Sequence, residues 1–365
     1  MDGAALTAAP SPAAQRNPWI NGARWDIGWL IGSALIVPVV LFFVWNGTGA
    51  DWINLGVTAI VGGPHLFSTY TASYMDPRFR RGHRGVLLAA TLLVPAFVIY
   101  WTLTDFQILL SVFIFAASFH VLHQNAYLTG IYNKKSGRKE PTWSRLVDYG
   151  VLLLCIYPIA SYKLVHSDFY LGSVEIILPS FMKVPATYWT IWLAFGSLFA
   201  IWLWKTAGEY RRQVLNLPKT VLIAVTCLVC FFVPMAATGE RLELAFQSVN
   251  AWHSIQYLGL IWYIQKVRKE RGEIETPFIA KMSGGTPGAM LRYYGFCFLL
   301  TLALGGVVAV CWFTKPFALE FQQYYYMCVL SCLLIHYFLD GFFFTVGNRA
   351  GAARRSVPFA APTAA

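Results

Sequence analysis

The feature that most constrains the fold is a series of ten apolar segments, each close to the length that crosses a bilayer. A transmembrane helix needs about 20 mostly apolar residues. The segments lie near residues 27–46, 53–73, 86–103, 106–132, 148–164, 188–205, 219–237, 243–265, 292–313 and 321–346. Only 12% of the residues are charged, about half the share in a soluble domain, which excludes a water-soluble globule. The sequence predicts an all-α integral membrane protein of about ten transmembrane helices.

The basic residues occur mainly in alternate loops between these segments. The second, fourth, sixth and eighth loops are basic, with Arg78, Arg80, Arg81 and Arg84; Lys134, Lys135, Arg138, Lys139 and Arg145; Lys205, Arg211, Arg212 and Lys219; and Lys266, Arg268, Lys269, Arg271 and Lys281. The other loops are short or mixed in charge. Because cytoplasmic loops are rich in Lys and Arg, we expect both termini in the cytoplasm, in a bacterial inner membrane. The net charge of +11 then requires no nucleic-acid partner.

No change of composition divides the apolar region. We therefore expect a single transmembrane domain over residues 25–348, between disordered cytoplasmic tails at residues 1–24 and 349–365. The first tail is rich in Ala and Pro and lacks the apolar core of a signal peptide. The fifth loop, at about 165–187, is the long external segment. Its Phe169, Tyr170 and apolar residues 176–178 predict an interfacial helix or a lid.

All seven cysteines fall inside apolar segments. Neither the C-x-x-C pair Cys227 and Cys230 nor the pair Cys328 and Cys332 has partners spaced like those of a zinc site. We expect the cysteines to be small apolar residues of the helix interfaces. They are Cys155, Cys227, Cys230, Cys297, Cys311, Cys328 and Cys332.

Five of the seven histidines lie inside predicted spans, where an ionisable group is costly and indicates function. At 1.5 Å per residue, each lies roughly 14–18 Å from the cytoplasmic end of its helix. Four spans thus place five imidazoles in one layer near the middle of the membrane. These histidines are His65, His120, His123, His253 and His336, whereas His83 and His166 fall in loops and are expected at the surface.

Histidines that share one depth on four helices favour a metal site. His120 and His123 share a helix face, as do His336 and Asp340, and Asp340 can bind a metal or orient an imidazole. Imidazole suits iron, copper and zinc, and a histidine-rich site with one carboxylate favours non-haem iron. Haem held by histidine pairs is the alternative cofactor, followed by copper. The predicted metal ligands are His65, His120, His123, His253, His336 and Asp340.

Two tyrosines follow the central histidines on the same helices. Tyr127 and Tyr257 can donate protons or hydrogen bonds near the imidazole layer, and we predict that they are catalytic. Asp76, immediately before Pro77 at the end of the second span, is expected to be a helix-end residue and not part of the site.

Two short motifs resemble the Brp/Blh family of membrane β-carotene 15,15′-dioxygenases. Gly63-Pro64-His65 is similar to that family's Gly-x-Pro-His motif, and Trp252-His253-Ser254 to its Trp-His-Ser motif. The resemblance implies an all-helical enzyme whose histidines hold a non-haem iron that cleaves a polyene with O₂. It implies that His65 and His253 are iron ligands, with His120 or His123 as the mid-chain histidine. The family's second late histidine falls on Tyr257, and Leu66 stands where the family usually has Gly.

The functional prediction is an integral-membrane oxidoreductase that uses histidine-bound non-haem iron and O₂. A site at this depth favours a lipophilic substrate, such as an isoprenoid, a carotenoid or another lipid. The expected partners are that substrate, membrane lipids and a cytoplasmic electron donor that docks on the basic loops if the chemistry needs electrons. Three alternatives remain open: a haem electron-transfer protein, a transporter with histidines as a proton relay, and a structural assembly factor.

Overall fold

The computed structural model describes residues 17–47, 49–165, 170–171, 173–233 and 240–350. For residues 50–51, 157–165, 240–245 and 342–350 it describes the backbone alone. His166, Phe169, and residues 1–16 and 351–365 of the predicted tails lie outside the described residues.

The described chain is all-α, as predicted, and each of the ten apolar segments lies on a helix, with residues 234–237 of the seventh segment outside the described residues. Two short helices, α3 and α10, follow the second and eighth of these. The helices are α1 (Ala23–Trp45), α2 (residues 50–72), α3 (Pro77–Gly82), α4 (Arg84–Thr104), α5 (Phe106–Ser136), α6 (Thr142–Val165), α7 (Pro185–Arg211), α8 (Leu217–Phe232), α9 (Glu240–Glu270), α10 (Pro277–Met282), α11 (Pro287–Thr314) and α12 (Phe321–Ala350).

Five of the described helices are long and apolar enough to cross a membrane: α1, α4, α5, α7 and α11. Helices α2 and α9 carry serine, threonine, asparagine, glutamine and histidine in their middle turns, and these side chains lower their hydropathy. In α12 the side chains are described only as far as Gly341. The chain is thus compatible with a membrane protein, and ten spans with cytoplasmic termini remain a prediction.

Polar residues cap the N-termini of several helices, at the points where a loop ends and the helix begins. The side chains of Asp76, Asp105, Asn216 and Thr286 accept hydrogen bonds from backbone N–H groups in the first turns of α3, α5, α8 and α11. Such caps satisfy donors that have no partner inside the helix. Asp76 is therefore a helix-end residue, as expected.

The helices that carry the histidines pack together at the centre. Helix α2 contacts α9, α11 and α12, and α12 also packs along α5. The outer helices present apolar side chains outward: Leu93, Trp204 and Phe313 are 69%, 73% and 81% exposed. A surface this apolar, with polar side chains buried inside, is typical of a protein surrounded by lipid.

Ion pairs join the basic loops at one end of the bundle, which we call the basic side. Arg78 and Arg81 bind Glu275 across the second and eighth loops, and their hydrogen bonds lower the pKa of this exposed carboxyl. Nearby, Lys219 binds Glu140 at 2.6 Å. The loops that the charge pattern predicts on one side of the membrane are thus in contact.

The described part of the fifth loop forms a short hairpin and not an interfacial helix. Two-residue strands, β1 (Tyr170–Leu171) and β2 (Val174–Glu175), pair antiparallel. The following residues Ile176 and Leu178 are buried against α5 and α12. The backbone N–H of Ile177 donates to Ser111 Oγ at 2.8 Å. The described part of this segment therefore packs on the end of the bundle opposite the basic side.

The folded region begins before residue 25, the boundary drawn from the sequence. Ile20 is buried, and the Asp26 carboxylate accepts hydrogen bonds from the backbone N–H groups of Ile20 and Asn21. The hydroxyl of Tyr132 donates to the same carboxylate at 3.0 Å. A single buried acid therefore holds residues 20–22 onto α5, although composition alone places them in a tail.

Candidate metal centre

Four histidines from α2, α5, α9 and α12 meet in the centre of the bundle. His65, His120, His253 and His336 are 3%, 6%, 2% and 0% exposed. Five of the six pairs of rings have centroids 4.5–5.7 Å apart. The rings of His253 and His336, the remaining pair, each lie within 5 Å of those of His65 and His120.

The nitrogen atoms of these rings converge in two overlapping groups. Ligand atoms of His65, His120 and His253 all lie within 4.8 Å of one another, and so do those of His120, His336 and Asp340. The Nε2 atoms of His120 and His336 are 3.2 Å apart. Two nitrogens about 2.1 Å from one ion are separated by ~3.2 Å when the angle at the ion is ~100°. This spacing fits two ligands of a single metal.

The backbone of α2 changes geometry immediately before His65. Residues Thr58–Gly62 form a π-turn, a local widening that is frequent at functional sites. Pro64 has no N–H to donate to the carbonyl of Ile60, and the hydroxyl of Tyr294 donates to that oxygen at 2.7 Å. The π-turn and the proline together set the direction in which His65 enters the bundle.

Gly63 allows α2 to approach α11 closely at the same level. A Cβ added at Gly63 would lie 2.1 Å from Thr301 Cγ2 and 2.9 Å from Thr301 Cβ. No side chain fits in this space. The Gly63-Pro64-His65 sequence therefore has a structural basis in each of its three residues.

Three imidazole nitrogens lack hydrogen-bond partners among the described residues. They are Nε2 of His65 and both ring nitrogens of His253. Nδ1 of His65 lies 3.3 Å from Ser254 Oγ. Buried polar atoms are nearly always bonded, and these nitrogens are available as ligands of a metal ion.

A hydroxyl and carboxylate network supports the fourth histidine. Nδ1 of His336 lies 2.7 Å from the hydroxyl of Thr69, which donates to Asp340 Oδ1 at 3.0 Å. The Tyr257 hydroxyl donates to the same oxygen at 2.5 Å. With both hydroxyls donating to the carboxylate, Thr69 can accept from Nδ1–H of His336. That tautomer leaves the Nε2 lone pair of His336 directed at His120.

The structure brings most of the predicted site residues together. His65, His120, His253, His336 and Asp340 belong to the two groups of candidate ligands. The ring of Tyr257 lies against that of His65, with centroids 4.6 Å apart.

Two predicted site residues lie elsewhere on α5. His123 is only half-buried and belongs to neither group of ligands. The two histidines are about 60° apart around α5, and the packing of this helix turns His120 and not His123 toward the cluster. Tyr127 is seven residues, or ~10 Å, along the helix from His120. It packs in an apolar cluster with Leu128 and Ile131. His83 stacks on Phe79 in the second loop, near the surface as expected.

Sequence reasoning missed Thr69, which touches both His336 and Asp340. A signal existed, since Thr69 follows His65 by four residues and so shares its helix face. Two amides also pair beside His253, where Gln124 Nε2 donates to Gln256 Oε1 at 2.6 Å. Gln256 in turn donates to the carbonyl of Leu30 at 2.7 Å, so α1, α5 and α9 are tied together beside the centre.

The described cysteines do not contribute to the centre. All seven are unpaired, and none belongs to either group of candidate ligands. The donor set is therefore imidazole with one nearby carboxylate, which suits iron, copper or zinc and disfavours metals that prefer thiolate.

Comparison with known proteins identifies no relative. No family model, no curated protein and no solved structure matches this chain.

Proposed function

We propose that this protein is an integral-membrane oxidoreductase that holds non-haem iron with His65, His120, His253 and His336 and acts with O₂ on a lipophilic substrate. The observation that carries the proposal is the convergence of four buried imidazoles from four helices, three of whose nitrogens have no hydrogen-bond partner among the described residues. Bound iron would supply O₂ activation. Asp340 would offset part of its positive charge within the bilayer.

The residues that carry the family resemblance support the choice of iron. His65 of the Gly-Pro-His sequence and His253 of the Trp-His-Ser sequence are two members of the cluster. Tyr257, which stands at the family's second late histidine, lies beside His65, and His336 from α12 supplies a fourth imidazole. We infer that His336 takes the place of the ligand that the family has at the position of Tyr257.

The surroundings of the cluster favour a substrate that arrives from the lipid. Tyr337 stacks on His120 with centroids 4.3 Å apart. Next to these two residues, Phe338 and Phe119 are 48% and 55% exposed on the outer surface of α12 and α5. Aromatic side chains thus lie both on the outer surface of α5 and α12 and against a ring of the cluster, at the same level of the bundle. We propose an isoprenoid or carotenoid chain as the substrate class, because its long apolar body matches this approach.

The ring distances favour a single ion over haem. A porphyrin bound by two histidines separates their rings by lying between them. Here each histidine ring contacts at least two others at 4.5–5.7 Å, which leaves no layer for a macrocycle. A metal ion requires no such space.

The test is metal analysis with an absorption spectrum of the detergent-purified protein after expression with added iron. We expect about one iron per chain and no Soret band, with His83→Ala as a control that keeps its iron. Iron-loaded protein should then consume O₂ when carotenoid or isoprenoid extracts are added.

Two results would contradict the proposal. A Soret band would identify a haem electron-transfer protein. Protein without any metal after iron supplementation would favour a transporter, in which the same imidazoles relay protons.

A further inference from the structure

A small cavity lies at the basic side between α2, α9 and the loop that follows α9. It leaves about 10 Å³ for the centre of a water molecule, roughly the room that one water needs, and Thr71, Asp76, Gln265 and Arg268 are among the residues that line it. These side chains are 0–5% exposed. A cavity with several buried polar groups in its wall differs from an ordinary packing gap, which is apolar.

The wall of the cavity offers a hydrogen-bond donor that the described residues do not satisfy. Gln265 is fully buried, and its Oε1 accepts from Arg268 Nη1 at 3.2 Å, while its Nε2 has no hydrogen-bond partner among the described residues. Arg268 forms an ion pair with Asp76. Because carboxylates of Asp76 and Glu275 also line the space, an anion is disfavoured. Water is the acceptor that fits in charge and size.

Hydroxyl groups continue from this cavity toward the histidines. The hydroxyls of Thr71 and Tyr293 are 3.1 Å apart, and Tyr293 is 2% exposed on α11. Tyr293 and Tyr257 belong to the same buried cluster at the centre of the bundle. Tyr257 then binds Asp340. Hydroxyls therefore lead from the cavity wall to Tyr293, which shares a buried cluster with the tyrosine that binds Asp340.

We propose that this cavity is the entrance for water on the basic side, and that Thr71, Tyr293 and Tyr257 extend it to the histidine cluster. At the opposite end of the bundle Ile176 and Leu178 belong to an apolar cluster, and the polar route found among the described residues lies on the basic side. This role rests on the proposed function, and it gives the substrate and water separate routes to the histidine cluster. The apolar substrate would arrive from lipid, and water and protons would pass along the hydroxyls.

The test is radiolytic labelling of the wild-type chain in lipid nanodiscs and ¹⁸O-water. Hydroxyl radicals formed from bound water label the aromatic rings nearest to it, and mass spectrometry locates the label. Tyr293 and Tyr324 are equally inaccessible, at 2% and 0% exposure, but only Tyr293 lies on the route. We expect Tyr293 to be labelled at least about fivefold faster than Tyr324. Thr71→Leu should lower labelling of Tyr293 to that of Tyr324, and Thr102→Leu, at a buried threonine near the other end of the bundle, should not.

Equal labelling of Tyr293 and Tyr324 in the wild-type chain would overturn the proposal, as would unchanged labelling in Thr71→Leu. If that variant does not fold, the ratio of the two tyrosines in the wild-type chain decides alone. Since labelling needs no bound iron and no turnover, a failure of the proposed enzymatic function leaves this result interpretable.

Discussion

The Nε2 atoms of His120 and His336 face each other at 3.2 Å, although 216 positions separate the two residues in the sequence. When Thr69 accepts from Nδ1–H of His336, the Nε2 of this histidine is an acceptor. In the absence of metal, His120 can donate a single hydrogen bond to it. The same two atoms have the spacing of neighbouring ligands on one ion. Either a proton or a metal ion can therefore bridge the two Nε2 atoms.

The first prediction concerns the four histidines of the cluster. Replacing His65, His120, His253 or His336 singly by Ala should reduce bound iron to less than about one tenth of the wild-type amount, because each removes one donor from a small set. Elemental analysis of purified variants measures this. His83→Ala, a loop histidine, serves as the control. Equal iron in the wild type and all four variants would contradict the assignment.

The second prediction separates metal binding from folding at His253. Both of its ring nitrogens lack hydrogen-bond partners among the described residues, and an unpaired buried polar group costs about 1–3 kcal/mol. His253→Leu should therefore lose the metal while the metal-free protein unfolds at the same or a higher temperature than metal-free wild type. Thermal unfolding after chelation measures this. A large fall in the unfolding temperature would instead show that His253 is a packing residue.

The third prediction concerns Thr69, whose hydroxyl joins His336 to Asp340. Thr69→Val keeps the shape of the side chain but removes this link, so His336 is no longer held in one tautomer. Loss of such a supporting contact typically weakens metal binding by about 10–100-fold. Competition with a chelator of known affinity measures the change. Thr69→Ser retains the hydroxyl and should bind nearly as tightly as wild type; similar losses in both variants would indicate a packing effect.

Depth along the helices was the part of the site that could be predicted from sequence. Segment length and polarity locate the membrane-scale helices, and the rise of a helix then places His65, His120, His253 and His336 at one level. The all-α fold follows from the same pattern. Neither inference needs long-range contacts, since each uses distances along a single helix.

Rotation about each helix axis could not be predicted in the same way. His120 and His123 lie less than one turn apart on α5. Only the packing of α5 against α12 decides that His120 faces the centre. Tyr127 and Tyr257 look alike in sequence, yet only Tyr257 reaches Asp340. Thr69 was overlooked because its importance comes from a partner on α12, 267 positions later.

The fourth prediction concerns a buried ion cluster at the basic side, away from the histidines. Asp148 is fully buried and binds Lys205 and Lys219 at 2.6 and 2.7 Å. Asp148→Asn would leave two buried ammonium groups undercompensated, since Glu140 alone remains close to both. We expect a loss of about 3 kcal/mol in the free energy of unfolding. Denaturant unfolding measures it, and iron per folded chain should not change.

A matched control for this ion cluster is Glu275→Gln, which breaks an exposed ion pair with Arg78 and Arg81. Solvent screens such pairs, so the stability should change little. If Asp148→Asn were equally mild, the buried cluster would not be a determinant of stability. A loss of iron in folded Asp148→Asn would show that the two sites are coupled.

The last prediction concerns the contact between Gly63 and Thr301, which sets how closely α2 approaches α11. In Gly63→Ala the new methyl group would overlap Thr301, and rotation of the threonine cannot relieve this, since its Cβ is itself 2.9 Å away. We expect a loss of about 1–3 kcal/mol in stability together with reduced iron, because a shift of α2 moves His65. Gly56→Ala in the same helix has open space and should cause neither effect.

Combining Gly63→Ala with Thr301→Ala removes the two closest contacts and should restore part of both losses, as a double-mutant cycle measures. If the losses of stability and iron in the two single variants simply add in the double variant, the contact between Gly63 and Thr301 is not the reason that Gly63 is required.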